Sequence, residues 1–228
     1  MNINLYYYDE LLDLAQEELF SFSNWMNEQY GYYPVIVGGW ATFLHCHHIR
    51  SRGIDVVFPS REIRNRVLES YFKARNFILK GTFTKYFVKE GKTRKGTEEI
   101  IINACAAQDR RPFELDKNVR IAWGVALRSE YTILQTLENG SQIYIPIKEL
   151  LLVFKSAALL GREYELKRTA AGELIEYYTH KMWKDAHDIA ALIDHDVDIK
   201  ISEEISSEWG FEKYIQKAIE SVPQILKR

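Results

Sequence analysis

The run Pro34-Val-Ile-Val-Gly-Gly-Trp-Ala41 constrains the fold more than any other stretch of this chain. Pro34 to Val37 is an unbroken apolar segment too short for a helix, and its β-branched residues suit a buried strand. Two consecutive glycines then end the strand, and Trp40 to His48 continues at helical spacing. A strand that passes through Gly38-Gly39 straight into a helix sets unpaired helix N–H groups at the strand's end. Side-chain-free backbone there lets an anion approach.

The surrounding pattern predicts alternating elements. Leu11, Leu12, Leu14, Ala15, Leu19, Phe22, Trp25 and Met26 give Tyr8 to Tyr30 an amphipathic helical face, opposite an acidic one, and Gly31 ends it. Ile54 to Phe58 is a second apolar strand stopped by Pro59. Ser60 caps a helix over Arg61 to Arg75, with Glu62 and Arg66 at i,i+4 spacing. Phe77 to Leu79, Lys85 to Lys89 and Glu98 to Ala104 predict an antiparallel meander, with Glu90 to Thr97 as a turn. Val119 to Ala122 and Gln142 to Ile145 add short strands. After Pro146 the chain is helical, beginning with Ile147 to Glu165. The expected fold class is α+β, a mixed sheet flanked by helices over residues 1–145 and a helical domain over 146–228.

Charge is unevenly distributed. Residues 1–49 hold six acidic and no basic side chains, whereas residues 50–128 hold eighteen basic and nine acidic ones. Positive charge therefore follows the glycine pair, which suits a phosphate-bearing ligand, the plainer reading being solvated Lys and Arg on exposed helices and hairpins. No apolar run is long enough to span a bilayer, and the absence of basic residues before Arg50 excludes a signal-peptide n-region, so the expected location is cytoplasmic, without a membrane partner. Cys46 and Cys105 make neither a disulfide framework nor a Cys-x-x-Cys pair. His45-Cys46-His47-His48 brings only His45 and His48 to neighbouring helix positions and has no second ligand group at zinc spacing. The aromatic group Tyr6, Tyr7, Tyr8, Tyr30, Tyr32 and Tyr33 is read as packing of the first helix on the sheet.

Asp55 interrupts the apolar run of its strand, and a carboxylate there needs a partner, a metal or exposure at the strand end. Gly38-Gly39-Trp40-Ala41, a helix, Arg50-Ser51 and Ile54-Asp55-Val56-Val57-Phe58 together resemble the minimal nucleotidyltransferase superfamily, in particular the branch related to the AbiEii type IV toxins. The later segments Lys148 to Lys155, Ala158 to Arg162 and Lys184-Asp185-Ala-His-Asp188 look like the helical part of that branch. The resemblance spans residues 34–192 and implies a polymerase beta-like nucleotidyltransferase sheet. Members carry Asp-x-Asp on the second strand, because carboxylates two residues apart share one strand face and hold Mg²⁺ against a triphosphate, completed by a third acid nearby. Here Gly53 stands at the first position and Asp55 at the second.

By this resemblance the activity is transfer of a nucleoside monophosphate from an NTP to a hydroxyl on RNA, such as tRNA, or on protein, with Mg²⁺ as cofactor. Gly53 implies reduced or absent transfer. Asp55 and Glu99 take the catalytic and metal-binding roles, and Asn103 is the alternative to Glu99. In Glu98-Glu99-Ile-Ile-Ile-Asn103, alternation puts Glu99 and Asn103 on the same face, so either faces Asp55 depending on register. Gly38, Gly39, Arg50, Lys155, Arg162, Lys184, Asp185 and Asp188 are the implied nucleotide-binding set. Asp185 or Asp188 would orient Lys155 or Arg162, against the plainer reading of Lys184 and Asp188 as a solvated i,i+4 pair. A cognate antitoxin is an implied partner. The second functional reading is a non-catalytic nucleotide-, RNA- or protein-binding module of the same fold.

Overall fold

A computed structural model describes residues 9–80 and 86–227. The chain divides into two compact units, one of Met1–Phe43, Ile49–Asp109 and Trp123–Pro146, the other of Leu44–His48, Arg110–Ala122 and Ile147–Arg228. The architecture is α+β. Main-chain character changes at Pro146, but residues 110–122 group with the helices.

The first unit opens with α1 (Asp9–Tyr30), β1 (Val35–Val37), α2 (Gly38–Cys46), β2 (Gly53–Phe58) and α3 (Arg61–Val67), the last continuing through a wide turn over Leu68–Phe72. Ser60 caps α3 by accepting the Ile63 N–H at 3.2 Å, and Arg66 pairs with Glu62 on the same helix. Strands β3 (Ile78–Lys80), β4 (Tyr86–Thr93) and β5 (Gly96–Ala106) form the antiparallel meander. The turn between β4 and β5 is tighter than the expected Glu90 to Thr97. Pairing runs through Lys92 and Thr97 to Thr93 and Gly96, where Gly96 takes a positive φ of 119°. Polar residues extend the hairpin because one edge of it faces water and needs no apolar alternation.

Crossing to β2, β5 pairs in parallel, while β1 lies antiparallel on the far side of β2. After the hairpin β6 (Arg110–Phe113) and β7 (Asp116–Ala122) of the second unit, strands β8 (Thr132–Thr136) and β9 (Gln142–Pro146) complete a seven-stranded sheet of order β3-β4-β5-β2-β1-β9-β8. The sheet is mixed, as β9 runs parallel to β1 and antiparallel to β8. Neither β6 nor β8 was expected.

α1 lies over β2, β4, β5 and β9. Ile54, Val56, Ile100 and Ile102 are buried on the strands, and Leu11, Ala15, Leu19, Phe22 and Met26 are buried on the helix. Phe22 meets Phe58, Tyr71 and Phe72 at ring-centroid distances of 6.4, 5.2 and 5.9 Å. Of the acidic residues on α1, Glu18 is buried: it accepts Tyr71 Oη and Lys89 Nζ, each at 2.6 Å. Lys89 projects from β4 under the helix, and its charge makes a buried carboxylate tolerable. Burial and the Glu18 carboxylate both push the Tyr71 phenol up. Tyr71→Phe removes one hydrogen bond to a charged group and is expected to lower stability by about 1.5–3 kcal/mol, read by urea denaturation. Tyr6, Tyr7 and Tyr8 lie outside the described residues. Trp25 and Tyr30 pack edge to face at 5.7 Å, with Tyr32 6.3 Å from Tyr30.

The second unit holds α4 (Lys148–Arg168), α5 (Gly172–Asp194), α6 (Ile199–Ser207) and α7 (Glu212–Leu226). Asp198 caps α6 by accepting the Lys200 and Ile201 N–H groups. Phe113 of the β6–β7 hairpin packs on Phe211 and Tyr214, which joins residues 110–122 to the helices. No described helix is long and apolar enough to cross a membrane.

Candidate functional site

The sheet register settles which side chain stands beside Asp55. In the parallel β2–β5 pair Asp55 is opposite Asn103, and the Asn103 Nδ2 donates to Asp55 Oδ1 at 2.7 Å. Glu99 is four residues further back on β5, about 13 Å away at the usual strand rise of about 3.3 Å per residue. Its carboxylate pairs with Lys80. Glu99 therefore does not share a ligand set with Asp55, and the side chain beside Asp55 is an amide.

Gly38 has a φ of 69°, and a Cβ placed on it would overlap Asp55 Oδ2. Antiparallel pairing of Val37 with Asp55 brings this carboxylate to the first residue of α2, where unpaired N–H groups favour negative charge. Gly39 is buried just behind, and Thr42 Oγ1 donates to the Gly38 carbonyl at 3.1 Å. Gly38, Gly39, Asp55 and Asn103 thus form one cluster at the carboxyl end of β1. Gly53 lies two residues before Asp55 on the same strand face, and a Cβ there would meet nothing closer than 3.9 Å. A Cβ is accommodated at position 53.

Arg50 is engaged elsewhere in the first unit. Its guanidinium binds Asp13 at 2.5 Å, Gln16 at 3.3 Å and Asp9 at 3.4 Å, all on α1. An arginine after a long acidic helix has two candidate partners, and the sequence pattern does not distinguish carboxylates of α1 from a phosphate.

Within the helical unit, α4 and α5 gather the remaining candidates into one ion network. Lys155 Nζ lies 2.5 Å from Asp188 and 3.4 Å from Asp185; Lys184 Nζ lies 3.0 Å from Asp188; Arg162 pairs with Asp185. Lys155, Lys184, Asp185 and Asp188 are buried, Asp188 completely. The Lys184–Asp188 pair is therefore not the solvated pair that i,i+4 spacing alone suggests. Burial opposes ionisation of Asp188, yet Lys155 and Lys184 hold its carboxyl below the usual range. Asp188 pairs with Lys155 and Lys184, and Asp185 with Lys155 and Arg162.

Two arrangements have no signal in the sequence. His48 sits 5.5 Å from His187, whose ring lies 3.8 Å from Trp183, and burial lowers the pKa of both imidazoles. Asp109 accepts the Ala106 N–H and pairs with Arg61 and Arg64 at 2.9 Å each. Burial raises its pKa, but these hydrogen bonds and cations outweigh that and leave it lowered.

The fit to Mg²⁺ is partial. No group of three or more His, Cys, Asp or Glu side chains gathers as a metal site among the described residues. A two-metal set of carboxylates is not formed by Asp55 with Asn103. A single Mg²⁺ carried by a nucleotide triphosphate needs only one or two protein carboxylates, the phosphates and water supplying the rest, and Asp55 meets that requirement. No protein-family model matches the chain, and no curated protein matches its sequence.

Proposed function

We propose that this chain is a nucleotidyltransferase-like protein that binds NTP at the Gly38, Gly39, Asp55 and Asn103 cluster, and that transfer of a nucleoside monophosphate to an RNA or protein hydroxyl is slow or lost. The observation that carries the reading is the meeting of Gly38 and Asp55, a side-chain-free helix start against a strand carboxylate. This gives the phosphates backbone N–H donors and gives their Mg²⁺ a ligand. Mg²⁺ would neutralise the phosphates and polarise the reacting phosphoryl group. Asn103 donates to Asp55 and holds its carboxylate in place. Loss of transfer is supported by the missing charges, since Gly53 and Asn103 stand where two of three carboxylates are needed. That favours the binding-module reading over an efficient enzyme.

Titration of the full chain with each NTP, with and without Mg²⁺, tests the reading by thermal stability. A ligand at 100 times its Kd adds about 2.7 kcal/mol. The expected result is a shift that requires Mg²⁺ and disappears in Asp55→Asn; no shift with any NTP rejects nucleotide binding. Gly53→Asp places a second carboxylate on the Asp55 face of the strand, its Cβ meeting only ordinary contacts at 3.9 Å, and is expected to tighten Mg²⁺-dependent NTP binding by about tenfold or more. If Gly53→Asp folds and leaves that binding unchanged, the two positions do not face one ligand.

A further inference from the structure

Strand β8, at one end of the seven-stranded sheet, carries a hydrogen-bonding edge that matches itself. Two bonds fix which backbone groups of β8 point outward. Leu137 donates to Ser141 at 2.8 Å, making 137 and 141 a hydrogen-bonded pair at the hairpin end. Tyr144 donates to Pro34 at 2.9 Å, towards β1 and away from β8. Antiparallel pairs alternate between bonded and unbonded, so Ile133 and Gln135 bond to β9, whereas Thr132, Leu134 and Thr136 direct N–H and C=O outward. Pro146, which has no N–H, falls opposite Thr132, in keeping with that alternation.

Three of the devices that normally blunt such an edge are missing from this strand. Thr132 to Thr136 contains no charge and no proline, and its register with β9 has no bulge. Ile133 is 41% and Leu134 46% exposed. Leu134 faces Tyr144 across the β8–β9 pair, and the Tyr144 ring lies 6.3 Å from Tyr33. These three side chains make an apolar row that ends at the open edge. At the opposite end of the sheet, β3 has only three residues, and the last, Lys80, carries a charge paired to Glu99.

We infer that β8 pairs with β8 of a second copy of this chain, antiparallel and two-fold symmetric about Leu134. In that register Leu134 faces Leu134 of the partner, and Thr132 faces Thr136. The outward-facing groups of both strands then coincide, and each such pair exchanges two backbone hydrogen bonds. The Thr136 carbonyl, which accepts Gln135 Nε2 at 3.0 Å, keeps a second lone pair for this bond. A register moved by one residue would set the inward-facing groups of one strand against the outward-facing groups of the other. The Tyr33–Tyr144–Leu134 row runs on across the symmetry axis into its copy. No charge lies within the paired segment Thr132–Thr136, the like-charged Glu130 and Glu138 falling just beyond its two ends, and the two-fold operation closes the assembly at two copies.

Sedimentation equilibrium of the full chain, from low to high micromolar concentration, tests this. The expected result is a reversible dimer, with amide exchange at Leu134 and Thr136 slowed as the dimer forms. Leu134→Pro removes an outward N–H that β9 does not use, and Leu134→Lys adds charge without touching the backbone; each is expected to give a folded monomer. Ile133→Pro, which removes an inward bond, is expected to lower stability instead. A monomer at every concentration, or a dimer unaffected by Leu134→Lys, overturns the inference.

Discussion

Replacement of Asp188 by alanine is expected to destabilise the helical unit by about 3–5 kcal/mol, the range for removing one partner of a buried ion pair. Asp188 is fully buried between Lys155 and Lys184, so its loss strands cationic charge where water does not reach. Lys155 retains Asp185, but Asp185 already serves Arg162. Replacing the pair together, Lys184→Met with Asp188→Leu, removes one charge of each sign and is expected to recover most of the loss. Urea denaturation of the two variants beside the parent checks both statements. If Asp188→Ala costs less than about 1 kcal/mol, the network is not buried in solution.

The same residue imposes a pH dependence of known sign. The Asp188 pKa is lower in the folded than in the unfolded chain, so its contribution is complete above the ordinary carboxylate value of about 3.9. It is lost as pH falls below that value towards the folded pKa, with a slope of up to about 1.4 kcal/mol per pH unit from this one proton. Asp188→Asn removes that proton, and stability below about pH 4 should fall less steeply in the variant than in the parent. Equal slopes would show that Asp188 is not held ionised.

Gly38→Ala is expected to lower stability by about 2–5 kcal/mol and to abolish the Mg²⁺-dependent NTP shift. An L side chain at a φ of 69° costs about 1–2 kcal/mol, and its Cβ must displace Asp55 Oδ2. Displacement strains or breaks the bond from Asn103, with a cost of about 1–3 kcal/mol if a buried polar group is left unmatched. Gly31 also has positive φ, yet a Cβ there meets nothing within 4 Å. Gly31→Ala should therefore show only the backbone cost and leave NTP binding intact. Denaturation and ligand-induced thermal shifts on the two variants separate strain from loss of the site.

Much of the first unit was legible because its signals are local. Apolar runs bounded by Gly31, Gly38-Gly39 and Pro59, and a Ser60 cap, mark α1 through α3 with little dependence on what packs against them. β8 escaped because Thr-Ile-Leu-Gln-Thr has neither regular alternation nor a flanking proline. β6 escaped because Arg110, Arg111 and Pro112 are poor strand formers that a two-stranded ribbon tolerates. Glu18 and Lys89 each resemble a solvated charge in sequence, and only their meeting beneath α1 makes the carboxylate suited to burial.

The candidate site divides along the same line. By itself the sequence determined that a strand enters a helix through two glycines, that Asp55 interrupts an apolar strand, and that position 53 carries no acid. Each of these depends on residues within a few positions of one another. Only the tertiary structure decided that Asn103 rather than Glu99 stands beside Asp55. The two lie four residues apart on one strand face, so alternation serves both equally, and the choice rests on pairing between strands distant in sequence. The same holds for Lys184 and Asp188: helical spacing made them neighbours, and packing of α4 on α5 removed them from water.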